Sequence, residues 1–187
     1  HADVVIDLHA GAGERFNYPQ IRYDLFHEEN IRLARAFDAP FTLLQNKAPK
    51  GSIRRVLNDA GTPTIIFEGG KSKTIDDQVV ETGVQGVRNV LNYLGIRKNS
   101  DDNIPQKTKF LHRNRWIRAR HSGMFQPLVD NGSFVEKRQV LANINGPYAQ
   151  FQKKIRSPMD GWIFCVSQAA VVNLGDAVFH IGEEQPK

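Results

Sequence analysis

The first half of the chain alternates short apolar runs with segments whose apolar residues recur at helical spacing. The apolar runs have the length of buried strands and lie at residues 3–8, 41–44 and 63–67. Helical spacing predicts helices over 28–38 and 75–94, and Ser52 is a candidate N-cap for a helix that continues to Asn58. This alternation predicts an α/β fold in which a partial, mostly parallel sheet has flanking helices.

The second half has a different pattern. Residues 97–109 are rich in Arg, Lys, Asn, Asp and Pro, a composition typical of a linker. After them come short apolar runs separated by glycines, in a weak repeat whose two copies begin at Gly123 and Gly161. We therefore predict a domain over 1–96, a linker over 97–109 and a small all-β barrel-sandwich domain over 110–187.

Composition narrows the class of protein without deciding its function. The 187 residues are 40% hydrophobic and 24% charged, which is typical of globular proteins. No apolar run approaches the ~20 residues that a membrane-spanning helix needs, so we expect no membrane partner. Cys165 is the only cysteine, which excludes an internal disulfide and favours a reducing compartment such as the cytoplasm.

Positive charge is concentrated in one segment. The net charge of +5 arises from 25 basic and 20 acidic residues, and six of the basic ones lie between Lys107 and Arg120. Such a segment can contact nucleic acid, but its arginine-rich part contains one aromatic residue, Trp116. We favour a solvated strand face beside the linker and do not expect nucleic acid as the partner.

His9 and Glu68 are the residues whose surroundings suggest chemistry. Each follows an apolar strand and precedes a glycine-containing break. If the two strands are parallel, both side chains emerge at the same carboxyl edge of the sheet. An imidazole and a carboxylate at one edge suit metal-assisted hydrolysis. Taken singly, His9 is better explained as a structural histidine, and Glu68 as an N-cap or a salt-bridge partner.

The chain contains only a fraction of a metal site. A catalytic zinc needs three protein ligands, and no other histidine shows ligand spacing with His9. The chain also begins without Met, inside its first predicted strand. We therefore expect it to be the later part of a longer protein, with further ligands upstream.

Several motifs resemble the succinylglutamate desuccinylase/aspartoacylase family. They are DLHAG at 7–11, RFNYP at 15–19, TIIFEGG at 64–70 and GVQGVRNVL at 83–91, and residues 123–182 resemble the β-domain found in many members. Members of this family are zinc-dependent deacylases with a carboxypeptidase-like α/β/α fold. The resemblance implies that residues 1–96 are part of a zinc-hydrolase catalytic domain.

The resemblance also implies roles for individual residues. His9 matches the family's third zinc ligand and Glu68 its general base and acid, while the first two ligands, a His-x-x-Glu pair, belong upstream. The family binds a substrate carboxylate through an arginine placed before the glutamate strand. Arg54 and Arg55 are the nearest candidates, since a guanidinium matches a carboxylate in two hydrogen bonds. Both arginines could instead lie solvated on a surface helix.

The implied activity is hydrolysis of an N-acyl amino acid with one zinc ion as cofactor. Zinc-bound water attacks the amide after Glu68 takes its proton, and Glu68 returns the proton to the leaving amine. We expect the present chain alone to be inactive, because one histidine cannot hold catalytic zinc. The alternative is a non-catalytic binding or assembly protein that keeps the fold, and an upstream His-x-x-Glu pair would favour the enzyme.

The C-terminal β-region also resembles the biotinyl/lipoyl carrier fold. A carrier presents a lysine at the tip of a hairpin, whereas the turn at 144–148 has Tyr148 near that place and no lysine. Lys153 and Lys154 lie further along, in a predicted strand, so we expect a structural or substrate-gating role for this region. We also expect an exposed edge at the first strand and, through it, formation of a homo-oligomer.

Overall fold

The computed structural model of the chain describes residues 2–45, 48–97 and 107–186. Within them lie three helices and twelve strands. The elements of the first half are β1 (Val5–Gly11), β2 (Arg15–Tyr23), α1 (Glu28–Phe37), β3 (Phe41–Leu44), α2 (Ile53–Asp59), β4 (Thr64–Lys71) and α3 (Asp77–Tyr93). Those of the second half are β5 (Lys109–Arg118), β6 (Gly123–Pro127), β7 (Phe134–Val135), β8 (Val140–Asn145), β9 (Gln152–Arg156), β10 (Gly161–Ser167), β11 (Val171–Val172) and β12 (Ala177–Glu184).

The three predicted helices are all present, with ends set by local hydrogen bonding. The Ser52 side chain accepts a hydrogen bond from the backbone N–H of Arg55 and so caps α2, as predicted. Asp76 caps α3 in the same manner, through the N–H of Val79. α1 ends at Asp38, whose backbone is left-handed, with φ of 56°.

The predicted fold class is wrong. The structure does not contain a mostly parallel sheet followed by a separate barrel domain. Eight strands form one mixed sheet in the order β1-β4-β2-β3-β5-β12-β10-β7, and β2 also pairs with β10. The additional pairing closes β2, β3, β5, β12 and β10 into a five-stranded barrel that draws on both halves of the chain. The other four strands form a second sheet in the order β11-β6-β8-β9.

The error has a physical origin in β2, a strand that the apolar pattern does not predict. Proline cannot donate to the hydrogen-bond ladder, and Pro19 lies at a break in register between Asn17 and Gln20, where β2 pairs antiparallel with β4. β2 then pairs in parallel with β3, and β5 adds to the far side of β3. A strand that is polar and interrupted by proline therefore joins the two halves.

Three apolar clusters fill the space between these layers. α1 and α3 pack on one face of β2 and β4, around Phe37 and Phe67, whose rings stack with centroids 5.2 Å apart. A second cluster lies between the barrel and the second sheet and includes Phe125 and Phe179. The barrel interior contains the third, which consists of buried residues from β3, β5 and β10.

The repeat beginning at Gly123 and Gly161 is reflected in the strand order. β6, β7 and β8 correspond to β10, β11 and β12, and each short middle strand pairs with the first strand of the other copy. The turn between β8 and β9 exposes Tyr148. Lys153 and Lys154 lie within β9, which confirms their predicted position in a strand.

Several expectations are not tested by this architecture. Most of the predicted linker, at 98–106, lies outside the described residues, and the boundaries at 1–96, 97–109 and 110–187 stay a prediction. β1 ends the order of the eight-stranded sheet, and association of chains through this edge also stays a prediction. None of the helices in the described ranges has both the length and the apolar character needed to cross a bilayer.

Candidate active site

Strands β1 and β4 bring His9 and Glu68 to one edge of the sheet. The two strands run parallel, and their register pairs His9 with Glu68. The backbone becomes irregular immediately afterwards, where the register shifts between His9 and Gly11. The expectation that His9 and Glu68 lie side by side on parallel strands is therefore confirmed. The predicted strand end at Glu68 is wrong, because β4 continues to Lys71, and the roles of both residues stay a prediction.

His9 is oriented by a carboxylate on its own strand. Its Nε2 donates a hydrogen bond to Oδ2 of Asp7 at 2.8 Å, and 46% of the His9 side chain remains exposed. Imidazoles that bind metals usually donate their second ring N–H to a carboxylate or a carbonyl in this way. Nδ1 is consequently the ring atom that a metal could use.

The Glu68 carboxylate is held by two side chains of β2. Asn17 Nδ2 donates a hydrogen bond to Oε2 at 2.8 Å, and the Arg22 guanidinium forms an ion pair with the same oxygen at 3.0 Å. Only 16% of the Glu68 side chain is exposed, so solvent screens these contacts weakly. Both contacts use Oε2, which leaves Oε1 as the oxygen placed to exchange a proton.

The two candidate arginines of α2 occupy different surroundings. Arg54 is 1% exposed and donates from Nη2 to Oε1 of Gln45. Burial lowers its pKa, an effect that the nearby Asp24 carboxylate opposes. Arg55 instead pairs with Asp59 at 2.8 Å on the exposed side of the helix. The alternative of a solvated surface position, which the sequence left open, is therefore excluded for Arg54.

Arg54 retains unused hydrogen-bonding capacity close to Glu68. Its Nη1 is buried and has no hydrogen-bond partner among the described residues, and the same is true of Nε of Arg22. Nε of Arg54 also lacks a hydrogen bond, but it lies 3.7 Å from Oδ2 of Asp24 in a buried ion pair. Both Arg22 and Glu68 are near enough to act electrostatically on Arg54. Buried donors of this kind are costly unless something accepts from them.

A cavity of about 240 Å³ opens beside Arg22, toward the barrel. Its lining includes Arg115 and Asn114 of β5 and His180 of β12. The His180 ring lies 4.0 Å from that of Trp116, in a stacked arrangement, and its Nε2 donates a hydrogen bond to Oδ1 of Asn114 at 3.0 Å. The C-terminal half of the chain therefore contributes directly to the space next to the Glu68 ion pair.

His180 is a neutral imidazole in the folded protein. Its pKa is lowered to about 3, mainly by burial and to a smaller extent by the positive charges of Arg22 and Arg15. Its Nδ1 is buried and has no partner among the described residues. The surroundings therefore make this ring a structural element of the barrel interior.

Gly69 and Gly70 follow Glu68 for different reasons. A Cβ at Gly69 would lie 2.6 Å from Cγ1 of Val79, so this glycine is required for the packing of α3 against β4. Gly70 has φ of 69°, a left-handed conformation that favours glycine.

The residues of this chain fit a zinc site only in part. His9 has the donor chemistry and the carboxylate partner of a zinc ligand. The described ranges contain no group of three His, Cys, Asp or Glu side chains that could hold a metal ion, whereas catalytic zinc needs three protein ligands. By themselves, these residues do not fit a zinc ion.

Sequence reasoning missed Arg22 and His180, and it quoted Asn17 only as part of a motif. The available signal was the alternation of polar residues along 15–23, where Asn17 and Arg22 fall close to a proline. For His180 the signal was its apolar neighbours, Val178 and Phe179, which resemble those of a buried strand.

Comparison with known proteins identifies the class to which this fold and site belong. The sequence profile of the succinylglutamate desuccinylase/aspartoacylase catalytic domain matches residues 1–94. The chain therefore belongs to the succinylglutamate desuccinylase/aspartoacylase family. No curated protein sequence matches the chain significantly.

Solved structures share the fold over nearly the whole chain. The apo structure of the ectoine utilization protein EutE (DoeB) from Ruegeria pomeroyi superposes with a TM-score of 0.86 at 21% identity, covering 97% of this chain and 60% of that protein. A succinylglutamate desuccinylase/aspartoacylase from Rhodobacter sphaeroides gives a TM-score of 0.87 at 18% identity, with 100% and 60% coverage. An aspartoacylase family protein from Mesorhizobium loti gives 0.79 at 19% identity, with 99% and 58% coverage. This chain thus spans about three fifths of the length of these proteins.

Proposed function

We propose that the intact protein is a zinc-dependent hydrolase that removes the acyl group from an N-acyl amino acid. The observation that carries the proposal is the pairing of His9 with Glu68 at one sheet edge. Membership of a family named for desuccinylases and aspartoacylases supports the deacylase class. His9 would supply one zinc ligand, and zinc, when bound, supplies Lewis-acid polarisation.

Glu68 acts as the general base and then as the general acid. It takes a proton from the water that attacks the amide carbonyl, and it delivers that proton to the amine nitrogen as the C–N bond breaks. Arg22 and Asn17 hold Oε2, so the carboxylate stays in one orientation through both transfers. This leaves Oε1 as the atom that carries the proton.

Arg54 is the candidate for binding the carboxylate of the amino acid. Its Nη1 is buried and has no hydrogen-bond partner among the described residues, whereas Nη2 donates to Gln45 and Nε lies 3.7 Å from Oδ2 of Asp24. Nη1 is therefore the donor left for a charge-assisted hydrogen bond to a carboxylate oxygen. Arg55 is the second candidate, although its ion pair with Asp59 already occupies its Nε. The carboxylate of a small N-acyl amino acid would give the buried Nη1 of Arg54 an acceptor.

The test uses the intact, zinc-loaded protein and a panel of N-acyl amino acids, with release of the free amine as the readout. We expect the wild type to hydrolyse at least one substrate and Glu68→Gln to lose about 10²–10⁴-fold in kcat. Glu136→Gln, which removes an exposed carboxylate in the turn before β8, is the matched control and keeps full turnover. A Glu68→Gln variant with most of its turnover would refute the role of Glu68.

We further propose that the protein works in a reducing compartment, the cytoplasm. The support is Cys165, a free thiol buried inside the barrel. Immunodetection of the protein in separated cell fractions tests this location, and recovery of the protein outside the cytoplasm would refute it.

A further inference from the structure

A groove of about 640 Å³ runs between β5 and β9 and is strongly basic. We call it the basic groove. Its cationic lining comes from two segments that are far apart in sequence: Arg115, Arg118, Arg120, Lys153, Lys154 and Arg156. All six side chains are exposed. Folding thus combines the arginine-rich segment with a second basic segment that the sequence pattern does not connect to it.

The charge of the basic groove is not neutralised within the described part of the chain. Its lining includes no aspartate or glutamate, and none of the six cations takes part in an ion pair among the described residues. Arg118 and Arg156 donate to the backbone carbonyls of Gly175 and Arg138, each at 2.8 Å, which orients them without cancelling their charge. Like charges at such density raise the local affinity for anions.

The walls of the basic groove have unpaired strand edges. β9 is the last strand of the four-stranded sheet and pairs with β8 alone. The pairing of β3 with β5 covers only residues 109–111, so residues 113–118 pair with β12 alone among the described strands. A free edge offers backbone N–H and C=O groups to an extended polypeptide.

The floor of the basic groove argues against single-stranded nucleic acid. Binding of single strands combines a basic channel with aromatic side chains on which bases stack. The one large aromatic in the lining is Trp116, whose ring is already stacked on His180 and contacted by the guanidinium of Arg15 at 5.0 Å. Buried aliphatic residues, Ile117, Ile144 and Ile155, form the rest of the floor and suit alternate side chains of a strand.

We propose that the basic groove binds an extended acidic polypeptide segment of a partner protein. The segment lies along β9, pairs its backbone with the free edge and places its carboxylates against the six cations. This inference does not rest on the deacylase reaction: no lining residue contacts Glu68, although Arg115 and Trp116 also line the cavity beside Arg22.

The experiment measures binding of fluorescein-labelled oligoglutamate, about eight residues long so that it spans β9 in extended form, by fluorescence anisotropy. The intact protein is compared with Lys153→Glu/Lys154→Glu. Lys50→Glu/Arg88→Glu is the matched control, because it makes the same change in net charge at two exposed positions away from the groove. We expect the groove variant to bind about tenfold more weakly and the control to stay within about twofold of the wild type.

Two further probes distinguish an extended acidic peptide from a ligand that binds through charge alone and from a single-stranded nucleic acid. An oligoglutamate that is N-methylated at alternate residues keeps its charge but cannot pair along a strand edge, and we expect it to bind more weakly than the parent peptide. Oligothymidylate of the same charge should compete poorly. Equal weakening by the groove and control variants, equal binding of the N-methylated peptide, or tighter binding of the oligothymidylate would each overturn the proposal.

Discussion

His9 and His180 both follow apolar strand residues, yet their surroundings give them opposite properties. His9 lies at the sheet edge, is 46% exposed and donates to the carboxylate of Asp7. His180 is 5% exposed in the barrel interior, donates to an uncharged amide oxygen and stacks on Trp116. A carboxylate partner prepares an imidazole to bind a cation, whereas burial beside arginines keeps it neutral. The lesson is that the partner and the degree of burial, not the strand context, decide which histidine can do chemistry.

Arg22 connects these two regions. It forms the ion pair with Glu68 on the side of the proposed reaction, and it also lines the cavity that His180 shares. Its positive charge contributes to the lowered pKa of His180. One arginine therefore holds the carboxylate of Glu68, the proposed base, and helps to keep the structural imidazole neutral.

Arg22→Met is expected to have the largest effect on stability at neutral pH. It leaves the poorly exposed carboxylate of Glu68 without its ionic partner, which we expect to cost about 1–3 kcal/mol in the free energy of unfolding. Urea denaturation followed by circular dichroism measures this cost. Arg32→Met is the matched control, since its ion pairs with Glu28 and Glu29 are exposed and worth less than about 1 kcal/mol. An equal loss in the free energy of unfolding for both variants would show that the ion pair of Arg22 with Glu68 contributes no more than an exposed one.

Asp7→Asn tests whether the carboxylate distinguishes His9 from His180. We expect the affinity of the intact protein for zinc to fall by about 10–100-fold, because the imidazole loses the acceptor that orients it. Competition with a chromogenic chelator measures the affinity. Asp59→Asn changes a carboxylate on α2 and should leave the affinity as it is; unchanged affinity in Asp7→Asn as well would mean that His9 is not a ligand.

His180→Phe tests the neutral state of the buried histidine through the pH dependence of stability. The unfolded chain protonates this ring below pH 6.5, whereas the folded ring stays neutral down to about pH 3. The free energy of unfolding should therefore fall as the pH drops through this window, by about 1.4 kcal/mol per pH unit from this one group. Denaturant titrations at several pH values should show a shallower slope for His180→Phe than for the wild type. Identical slopes for the wild type and His180→Phe would contradict the buried neutral state.

Cys165 gives the smallest expected signal. It pairs with His180 across β10 and β12, and burial raises the pKa of its thiol to about 12. Because the thiolate is the reactive form, a disulfide reagent at neutral pH should modify this thiol only as fast as the protein unfolds. Rapid modification of the folded protein would show that the barrel interior is open to solvent.

The sequence pattern predicts what depends on local periodicity. The three helices and β1, β3 and β4 follow from apolar spacing and from a cap such as Ser52, and the parallel pairing of His9 with Glu68 follows from two similar strand ends. The apolar pattern does not predict β2, because Pro19 and its polar neighbours are not typical of a central strand. The barrel closes through pairing between β2 and β10, whose residues are far apart in the chain, and no local pattern encodes such a contact.

The candidate site divides in the same way. The sequence points to His9 and Glu68 because each directly follows an apolar run. Asn17 and Arg22 contact Glu68 only because β2 pairs antiparallel with β4. The burial of Arg54 depends on how α2 packs, which the sequence of a short helix does not determine.

The most direct test of this account is a histidine-selective ¹⁵N NMR titration of the intact protein with zinc. We predict that zinc shifts the Nδ1 signal of His9, while Nε2 keeps its proton and its hydrogen bond to Asp7, and that the signals of both ring nitrogens of His180 remain unchanged. A zinc-dependent shift of His180 together with an unaffected His9 would contradict the central claim that the imidazole at the sheet edge, and not the one in the barrel, serves the chemistry.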